Sequence, residues 1–300
     1  MTLNDFTYYF LLVDRLSLAT YVMFVITLLS FYWFKHYFLR GVFLFVTLLM
    51  ALYAERLDWI AIPGVVVMGG LFYYGLNGKR KILRGLCFTL AVLSALAVSF
   101  LKMPGVHNWR LIENLALSKD TLPYNMTFNL DKSLIGLFFV WFSVYSLANG
   151  GAWKSTLQKG LISGIAAIAV LMPLAFYLGY VKFDLKITSF FFLWAIHNLF
   201  FVCFAEEALF RGMIQRFIQF RLQNVRYGKW VAIAIAAMLF GAAHYPGGWR
   251  YILLASVAGL FYGYAFMKTE KIEAGILSHF MVNAVHFVFF SYPALKTALL

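Results

Sequence analysis

The sequence predicts an all-α membrane protein, a polytopic bundle of about ten transmembrane helices. Apolar residues make up 63% of the 300 residues and charged residues only 12%, whereas soluble globular proteins are about 45–50% apolar. Apolar runs of about 17–25 residues, enough to cross a hydrocarbon layer of about 30 Å, recur along the chain. Ten such runs lie near residues 16–34, 39–54, 57–76, 85–101, 133–149, 160–180, 188–210, 229–245, 250–267 and 272–292.

Basic residues alternate along the chain in a way that predicts an orientation. Fifteen of the 25 Lys and Arg residues fall in one set of alternate loops and the other ten in the opposite set. Because short loops rich in Lys and Arg tend to stay in the cytoplasm, both chain termini are predicted to lie outside it. The net charge of +13 is explained by turns that face anionic lipid headgroups, so no nucleic acid partner is predicted.

The segments outside the spans contain no soluble domain. The polar segment Met1–Arg15 has neither a basic start nor a small-residue cleavage site, so no removable signal peptide is expected. The longest polar interval, residues 102–132, contains prolines and a glycine and is predicted to be a loop, with a lid as a candidate role. Cys87 and Cys203 lie within apolar runs and are predicted to be small core residues rather than a disulfide or a thiolate metal site.

Glu206 and Glu207 are two adjacent carboxylates inside a long apolar run. A carboxylate at mid-membrane costs about 2.5–3.5 kcal/mol on insertion scales, so this pair requires partners or a task. Glu207 and Arg211 stand four residues apart and are predicted to form an ion pair on one helix face. Glu206 is rotated by about 100° from Glu207 and needs a partner from another helix. A purely structural network that anchors Arg211 is the alternative for both carboxylates.

The eighth span supplies a partner for Glu206 where it ends, in the sequence LFGAAHYPGGW. Pro246 and the two glycines after it must break the helix just after His244. Phe240 lies one turn before His244 and can pack against its imidazole. If spans seven and eight form an antiparallel hairpin that turns near residue 225, Glu206 faces His244. A satisfied core histidine is the alternative, but the unpaired carboxylate favours a functional role.

The tenth span carries three polar side chains on one face, in the sequence LSHFMVNAVH. His279 and Asn283 can offer hydrogen-bond donors from successive turns to one small group, as an oxyanion site requires. Interhelical hydrogen bonding is the alternative for these two residues. It is the role predicted for His286, His197 and Asn198.

Counting residues from the turns gives a conflict between the two histidines. His279 lies about nine residues from the turn near 270, whereas His244 lies nineteen from the turn near 225, a mismatch of about 15 Å along the helices. A hairpin near 225 that projects into the cytoplasm would remove the conflict, and it would be hydrated by Arg216, Arg221 and Arg226. The apolar start of the eighth span argues against a large projection, so both possibilities stay open.

The polar residues stand in the order E-E-x-x-x-R, F-x-x-x-H and H-x-x-x-N on three spans, with one plain span between the last two. This order resembles the CPBP family of intramembrane proteases, the glutamate-type group that includes the Ras-converting CaaX endopeptidase and bacteriocin-immunity and abortive-infection homologues. The resemblance covers about residues 188–290, and every motif position matches. It implies a protease core over residues 188–292, after an N-terminal transmembrane region of about six helices (1–187) and before a C-terminal tail (293–300).

The resemblance also implies an activity and a location. The expected activity is hydrolysis of peptide bonds in a membrane-embedded or lipidated peptide or protein, such as one with a prenylated cysteine, without a cofactor. The expected location is the bilayer of a bacterial inner (plasma) membrane, as a multi-pass protein. Glu206 with His244 would activate a water, and His279 and Asn283 would stabilise the oxyanion. The supporting residues would be Glu207, Arg211 and Phe240.

Two other functions could use the same residues. A Zn²⁺ held by Glu206, His244 and His279 would also activate a water. A non-catalytic immunity factor or transporter would instead use the buried ionisable groups to bind an ion or a partner.

Overall fold

The computed structural model describes residues 14–34, 36–143, 147–186 and 188–299 of the chain. The segment for which no signal peptide was predicted therefore lies almost entirely outside the described residues. The chain divides into two compact units, Met1–Leu111 with Thr127–Val144, and Ile112–Met126 with Tyr145–Leu300. The domain boundary predicted at residue 187 stays a prediction.

The described part of the first unit contains five helices. They are α1 (Arg15–Trp33), α2 (Tyr37–Tyr53), α3 (Ala61–Asn77), α4 (Lys81–Leu101) and α5 (Leu130–Phe142). The carboxylate of Asp14 accepts hydrogen bonds from the backbone N–H groups of Leu16 and Ser17, so α1 begins at a side-chain N-cap. Helix α1 packs on α2, and α3 packs on α4 and α5.

The second unit contains the helices that carry the predicted site. They are α6 (Ala152–Tyr177), α7 (Phe191–Arg221), α8 (Gly228–Ala243), α9 (Gly248–Thr269) and α10 (Ile272–Phe289). Helix α8 packs on α9, α6 packs on both α9 and α10, and α7 contacts α8, α9 and α10. The polar side chains of α7 can therefore be enclosed by its neighbouring helices.

Helix α7 is not uniform along its length. Its segments Asn198–Cys203 and Ala208–Gln215 are π-helical, and Phe204–Glu207 between them is α-helical. The π-helix has wider turns than the α-helix and is frequent at functional sites. Glu206 and Glu207 thus lie on a short α-helical segment between two wider ones.

Within the part of the chain that the structure describes, six helices are long and apolar enough to cross a membrane: α1, α4, α6, α7, α10 and the segment Tyr245–Thr269 that contains α9. Helices α2, α3 and α8 are apolar but have only 16 or 17 residues. Helix α5 was predicted as a span over 133–149, but it has 13 residues and ends at Phe142, a length of about 20 Å. The chain is a multi-pass membrane protein by this criterion, and the count of ten spans is not confirmed.

The interval 102–132 differs from the prediction of a loop in an all-α protein. It contains two strands, β1 (Trp109–Leu115) and β2 (Tyr124–Phe128), which form a two-stranded sheet. In β2 the buried Tyr124, Met126 and Phe128 alternate with more exposed residues, which is the period of a half-buried strand. This alternation is too short to be distinguished from an irregular loop in the sequence. A role as a lid stays a prediction.

The C-terminal segment, predicted as a tail, is hydrogen-bonded within the second unit. Backbone N–H groups of Leu122 and Leu295 donate to the carbonyl oxygens of Ala294 and Tyr180, respectively. Residues Lys296–Leu299 form a short 3₁₀-helix. These bonds hold the end of the chain against two loops.

Candidate active site

Glu206 lies where two imidazoles from different helices converge. Its Oε2 atom is 4.0 Å from Nε2 of His244, which follows α8, and 3.9 Å from Nε2 of His279 on α10. Within the described residues, this oxygen has no hydrogen-bond partner. The approach of Glu206 to His244 expected from the antiparallel hairpin is therefore present, and His279 faces the same oxygen.

His244 is held at the end of α8 with a defined tautomer. The helix ends at Ala243 and a 3₁₀ turn follows over Tyr245–Gly247, as predicted. Nδ1 of His244 is 2.7 Å from the carbonyl oxygen of Phe240, and because a carbonyl oxygen only accepts, Nδ1 carries the proton. In the neutral imidazole, Nε2 is then the unprotonated nitrogen, and it faces Glu206. The Phe240 ring also packs on the imidazole, with 4.7 Å between centroids.

Glu207 is fully buried and contacts two partners. Its Oε1 atom is 3.0 Å from Nη1 of Arg211, which confirms the ion pair predicted from their spacing. The same oxygen is 3.0 Å from Nδ1 of His279, a contact that the sequence did not predict. Glu207 therefore connects the buried arginine with one of the two histidines at Glu206.

Arg211 is fully buried and packed between aromatic rings. Its guanidinium carbon is 4.5 Å from the centroid of Phe240 and 5.3 Å from that of Tyr262, a cation–π arrangement. Its Nη2 atom donates to the carbonyl oxygen of Gly259 at 3.3 Å. Aromatic faces and a carbonyl thus complete the environment of the charge that Glu207 neutralises.

Glycines make room for the polar side chains of α7. A Cβ atom on Gly275 would lie 2.5 Å from Oε2 of Glu207, and one on Gly263 would lie 2.8 Å from Oε1 of Gln215. Gln215 donates to the carbonyl oxygen of Gly263 at 2.9 Å. Helices α9 and α10 therefore approach α7 closely because these positions lack side chains.

Asn283 is tied to α7 by its amide. Its Nδ2 atom donates to Oδ1 of Asn198 at 3.2 Å and lies 3.8 Å from Sγ of Cys203. Asn198 thus makes the interhelical hydrogen bond predicted for it. His286 instead lies 3.2 Å from the carbonyl oxygen of Ser291, just beyond its own helix. Cys203 is buried, as predicted, whereas Cys87 is only partly buried.

A cavity with an empty volume of about 570 Å³ opens beside these groups. His244, His279 and Asn283 line it together, so three of the four predicted catalytic residues share one space. The Glu206 side chain is 30% exposed, whereas its Oε2 atom, which faces the two histidines, is buried. The rest of the wall is largely apolar, and includes Leu171, Met172, Leu254 and Val282.

The length of α7 accounts for part of the axial mismatch between the two histidines. Nη2 of Arg216 donates to the carbonyl oxygen of Glu270 at 3.5 Å, so the turn near 270 lies within reach of the Arg216 side chain. Helix α7 continues for five more residues to Arg221, about 7 Å. The hairpin near 225 thus extends beyond the neighbouring turn, and this extension covers about half of the expected mismatch of about 15 Å.

No group of three or more His, Cys, Asp and Glu residues in the described part of the chain has a geometry suited to a metal ion. The candidate zinc ligands Glu206, His244 and His279 do not form such a group. Nδ1 of His279 lies within hydrogen-bond distance of Glu207. Its other ring nitrogen, Nε2, faces Glu206.

Part of the chain is similar to a known protein family. Residues 188–285 match the family model Type II CAAX prenyl endopeptidase Rce1-like. No curated protein and no solved structure matches the chain. The matched residues include Glu206, His244, His279 and Asn283, and the family is one of membrane-embedded proteases, which supports peptidase activity. This match confirms the resemblance predicted from the three motifs: residues 188–285 are similar to the Rce1-like endopeptidases of the CPBP family.

Proposed function

We propose that this protein is an intramembrane endopeptidase in which Glu206 and His244 activate a water for attack on a peptide bond. The observation that carries the proposal is the convergence of His244 and His279 on one carboxylate oxygen of Glu206, at 4.0 and 3.9 Å. The match to a family of prenyl endopeptidases supports the same reaction class.

The distances suit a bridging water. At 4.0 Å, the oxygen of Glu206 and Nε2 of His244 are too far apart for a direct hydrogen bond. A single water at about 2.8 Å from each would bridge them with an angle close to 90°. Such a water has two acceptors, because Nδ1 of His244 holds the proton and Nε2 offers its lone pair. Either acceptor can take the proton as the water oxygen attacks.

The oxyanion of the tetrahedral intermediate would be stabilised by His279 and Asn283. Nδ1–H of His279 points to Glu207, so a hydrogen bond from Nε2 requires the imidazolium form. The Glu207 carboxylate at Nδ1 holds the ring with Nε2 directed at Glu206. Asn283 has two N–H donors, of which Asn198 engages one, while the Cys203 sulfur is a weak acceptor. Each donor aimed at an oxyanion contributes on the order of 3–4 kcal/mol to catalysis.

The substrate proposed is a membrane-embedded or lipidated peptide or protein. The catalytic groups border a cavity whose other walls are largely apolar, which suits an apolar segment or a lipid chain. Six helices able to span a membrane among the described residues support a substrate that lies in or on the bilayer. A bacterial inner membrane is the location we propose.

The test compares membrane-associated peptides from cells that express wild-type protein with those from cells that express Glu206→Gln. A peptide fragment found only with the wild-type protein is the expected result, and its sequence identifies the substrate. Folded Glu206→Gln protein at the wild-type level of expression is required, so that loss of folded protein does not explain a missing fragment. Identical peptides and an unchanged phenotype with well-folded Glu206→Gln would favour a non-catalytic immunity factor or transporter.

A further inference from the structure

Helix α9 carries none of the motif residues, yet it contacts both histidines of the site. The ring of Tyr251 lies edge-on to the imidazole of His244, with 4.8 Å between centroids and 79° between planes. Tyr262 stacks on His279, with 4.6 Å between centroids and 15° between planes. The two tyrosines are eleven positions apart, close to three helical turns, so they share a face of α9.

The two tyrosines differ in their other contacts. The ring of Tyr262 also faces the Arg211 guanidinium and packs on Phe240, so it belongs to the buried ion-pair network. Tyr251 contacts His244 on one side and stacks on Tyr180 on the other, with 5.6 Å between centroids. Tyr251 also lines the cavity. It is therefore placed to act on His244 without disturbing the buried arginine.

Gly247 leaves room for the Tyr251 ring. A Cβ atom on Gly247 would overlap Cδ1 of Tyr251. The φ angle of Gly247 is −87°, a value that any residue adopts. Gly247, three residues after His244, therefore provides space for the Tyr251 ring, and its backbone conformation does not require a glycine.

His244 needs such a contact because it lies where its helix ends. It is the C-cap of α8 and its side chain is 16% exposed. The carbonyl of Phe240 fixes Nδ1, and the rings of Phe240 and Tyr251 meet the imidazole at 61° and 79°. Together these contacts restrict rotation of the imidazole and keep Nε2 directed at Glu206.

We propose that Tyr251 is a positioning residue whose ring holds His244 in the orientation that faces Glu206. The expected effect of Tyr251 on the rate rests on the proposed function. The contact between Tyr251 and His244 can be measured without any substrate. Because a displacement of about 1 Å can cost about 100-fold in rate, loss of the ring is expected to lower kcat by about 10- to 100-fold and leave KM nearly unchanged.

The kinetic test uses purified full-length protein and a peptide that ends in a CaaX sequence with a farnesylated cysteine. Tyr251→Phe keeps the ring and should match the wild type, whereas Tyr251→Leu should lower kcat. Gly247→Ala should lower kcat by displacing the ring, and it should add little further loss in the Tyr251→Leu background. Tyr264→Leu is the matched control, since it removes from the same helix a ring that stacks on Trp230.

Three kinetic outcomes would overturn the proposal. Equal losses in Tyr251→Phe and Tyr251→Leu would assign the effect to the hydroxyl group. Multiplicative losses for Gly247→Ala and Tyr251→Leu would show that the glycine acts elsewhere. A loss in Tyr264→Leu as large as that in Tyr251→Leu would indicate general damage to α9.

Histidine side-chain NMR separates this proposal from the proposed function. In protein with labelled imidazoles, the His244 signals are assigned with His244→Gln. They should shift in Tyr251→Leu and in Gly247→Ala, and stay in place in Tyr251→Phe and Tyr264→Leu. Unchanged His244 signals in Tyr251→Leu would overturn the positioning role. Shifted signals in a protein that does not cleave the peptide would support the contact and contradict the proposed function.

Discussion

The carboxylate of Glu207 lies 3.0 Å from Nδ1 of His279. The same oxygen also lies 3.0 Å from Nη1 of Arg211, so one buried atom serves both the ion pair and the site. A carboxylate at Nδ1 fixes the tautomer and the orientation of an imidazole. Glu207 therefore has a second role beyond the anchoring of Arg211 that its spacing predicted.

Glu207→Gln is expected to lower both stability and cleavage. Stability falls because the change breaks the buried pair with Arg211, which costs about 3–5 kcal/mol. Cleavage falls because His279 loses the carboxylate at its Nδ1 atom. Glu206→Gln is the matched control, since it makes the same change at the adjacent residue, whose Oε2 has no hydrogen-bond partner in the described residues. That variant should keep the wild-type melting temperature and lose cleavage. Thermal unfolding in detergent and peptide cleavage measure the two effects. Wild-type stability in Glu207→Gln would contradict a stabilising ion pair.

Arg211→Met is expected to destabilise the wild-type protein more than it destabilises Glu207→Gln. The single change leaves the carboxylate without its arginine, whereas the double change removes both charges. Contacting residues typically show coupling energies of about 0.5–3 kcal/mol. Unfolding free energies of the four proteins give the coupling, and purely additive losses would argue against a direct pair.

Gly275→Ala is expected to lower cleavage and stability, because the added Cβ would lie 2.5 Å from Oε2 of Glu207 and would displace the carboxylate from His279. Gly85→Ala is the control, since a Cβ at that helical position meets nothing within 4 Å. It should be neutral or slightly stabilising. Equal behaviour of the two variants in thermal unfolding and cleavage would show that Glu207 tolerates displacement.

Cleavage is expected to persist in metal-free protein with a chelator present, because the proposed mechanism assigns proton transfer to Glu206 and His244 alone. The measurement compares rates before and after chelation, with metal content determined on the same sample. Loss of activity that Zn²⁺ restores would instead support the alternative in which Glu206, His244 and His279 bind zinc.

The parts of the site that the sequence predicted depend on local periodicity. Glu207 and Arg211 are four residues apart on one helix, so their contact follows from helix geometry. Glu206 and His244 lie on consecutive helices joined by a short polar turn, so an antiparallel hairpin brings them together. The spacing within one helix was enough to predict the first contact, and the position of one turn was enough to predict the second.

The parts that the sequence did not predict depend on how helices rotate and slide against each other. The contact of Glu207 with His279 requires the rotation of α10 relative to α7, and no spacing in the sequence determines that angle. The two hairpin turns lie at different depths because α7 extends past Arg216. The strands β1 and β2 were missed because their alternation covers only a few residues.

The wide turns of Ala208–Gln215 have a consequence for how related chains can vary. A π-helical segment holds about one more residue than an α-helical segment with the same number of turns. Deleting one residue there would let the segment relax to 3.6 residues per turn, and the side chains after it would keep nearly their present direction. A related chain that is one residue shorter at this point can therefore keep the same interior, and an alignment that opens a single gap here would pair equivalent helices.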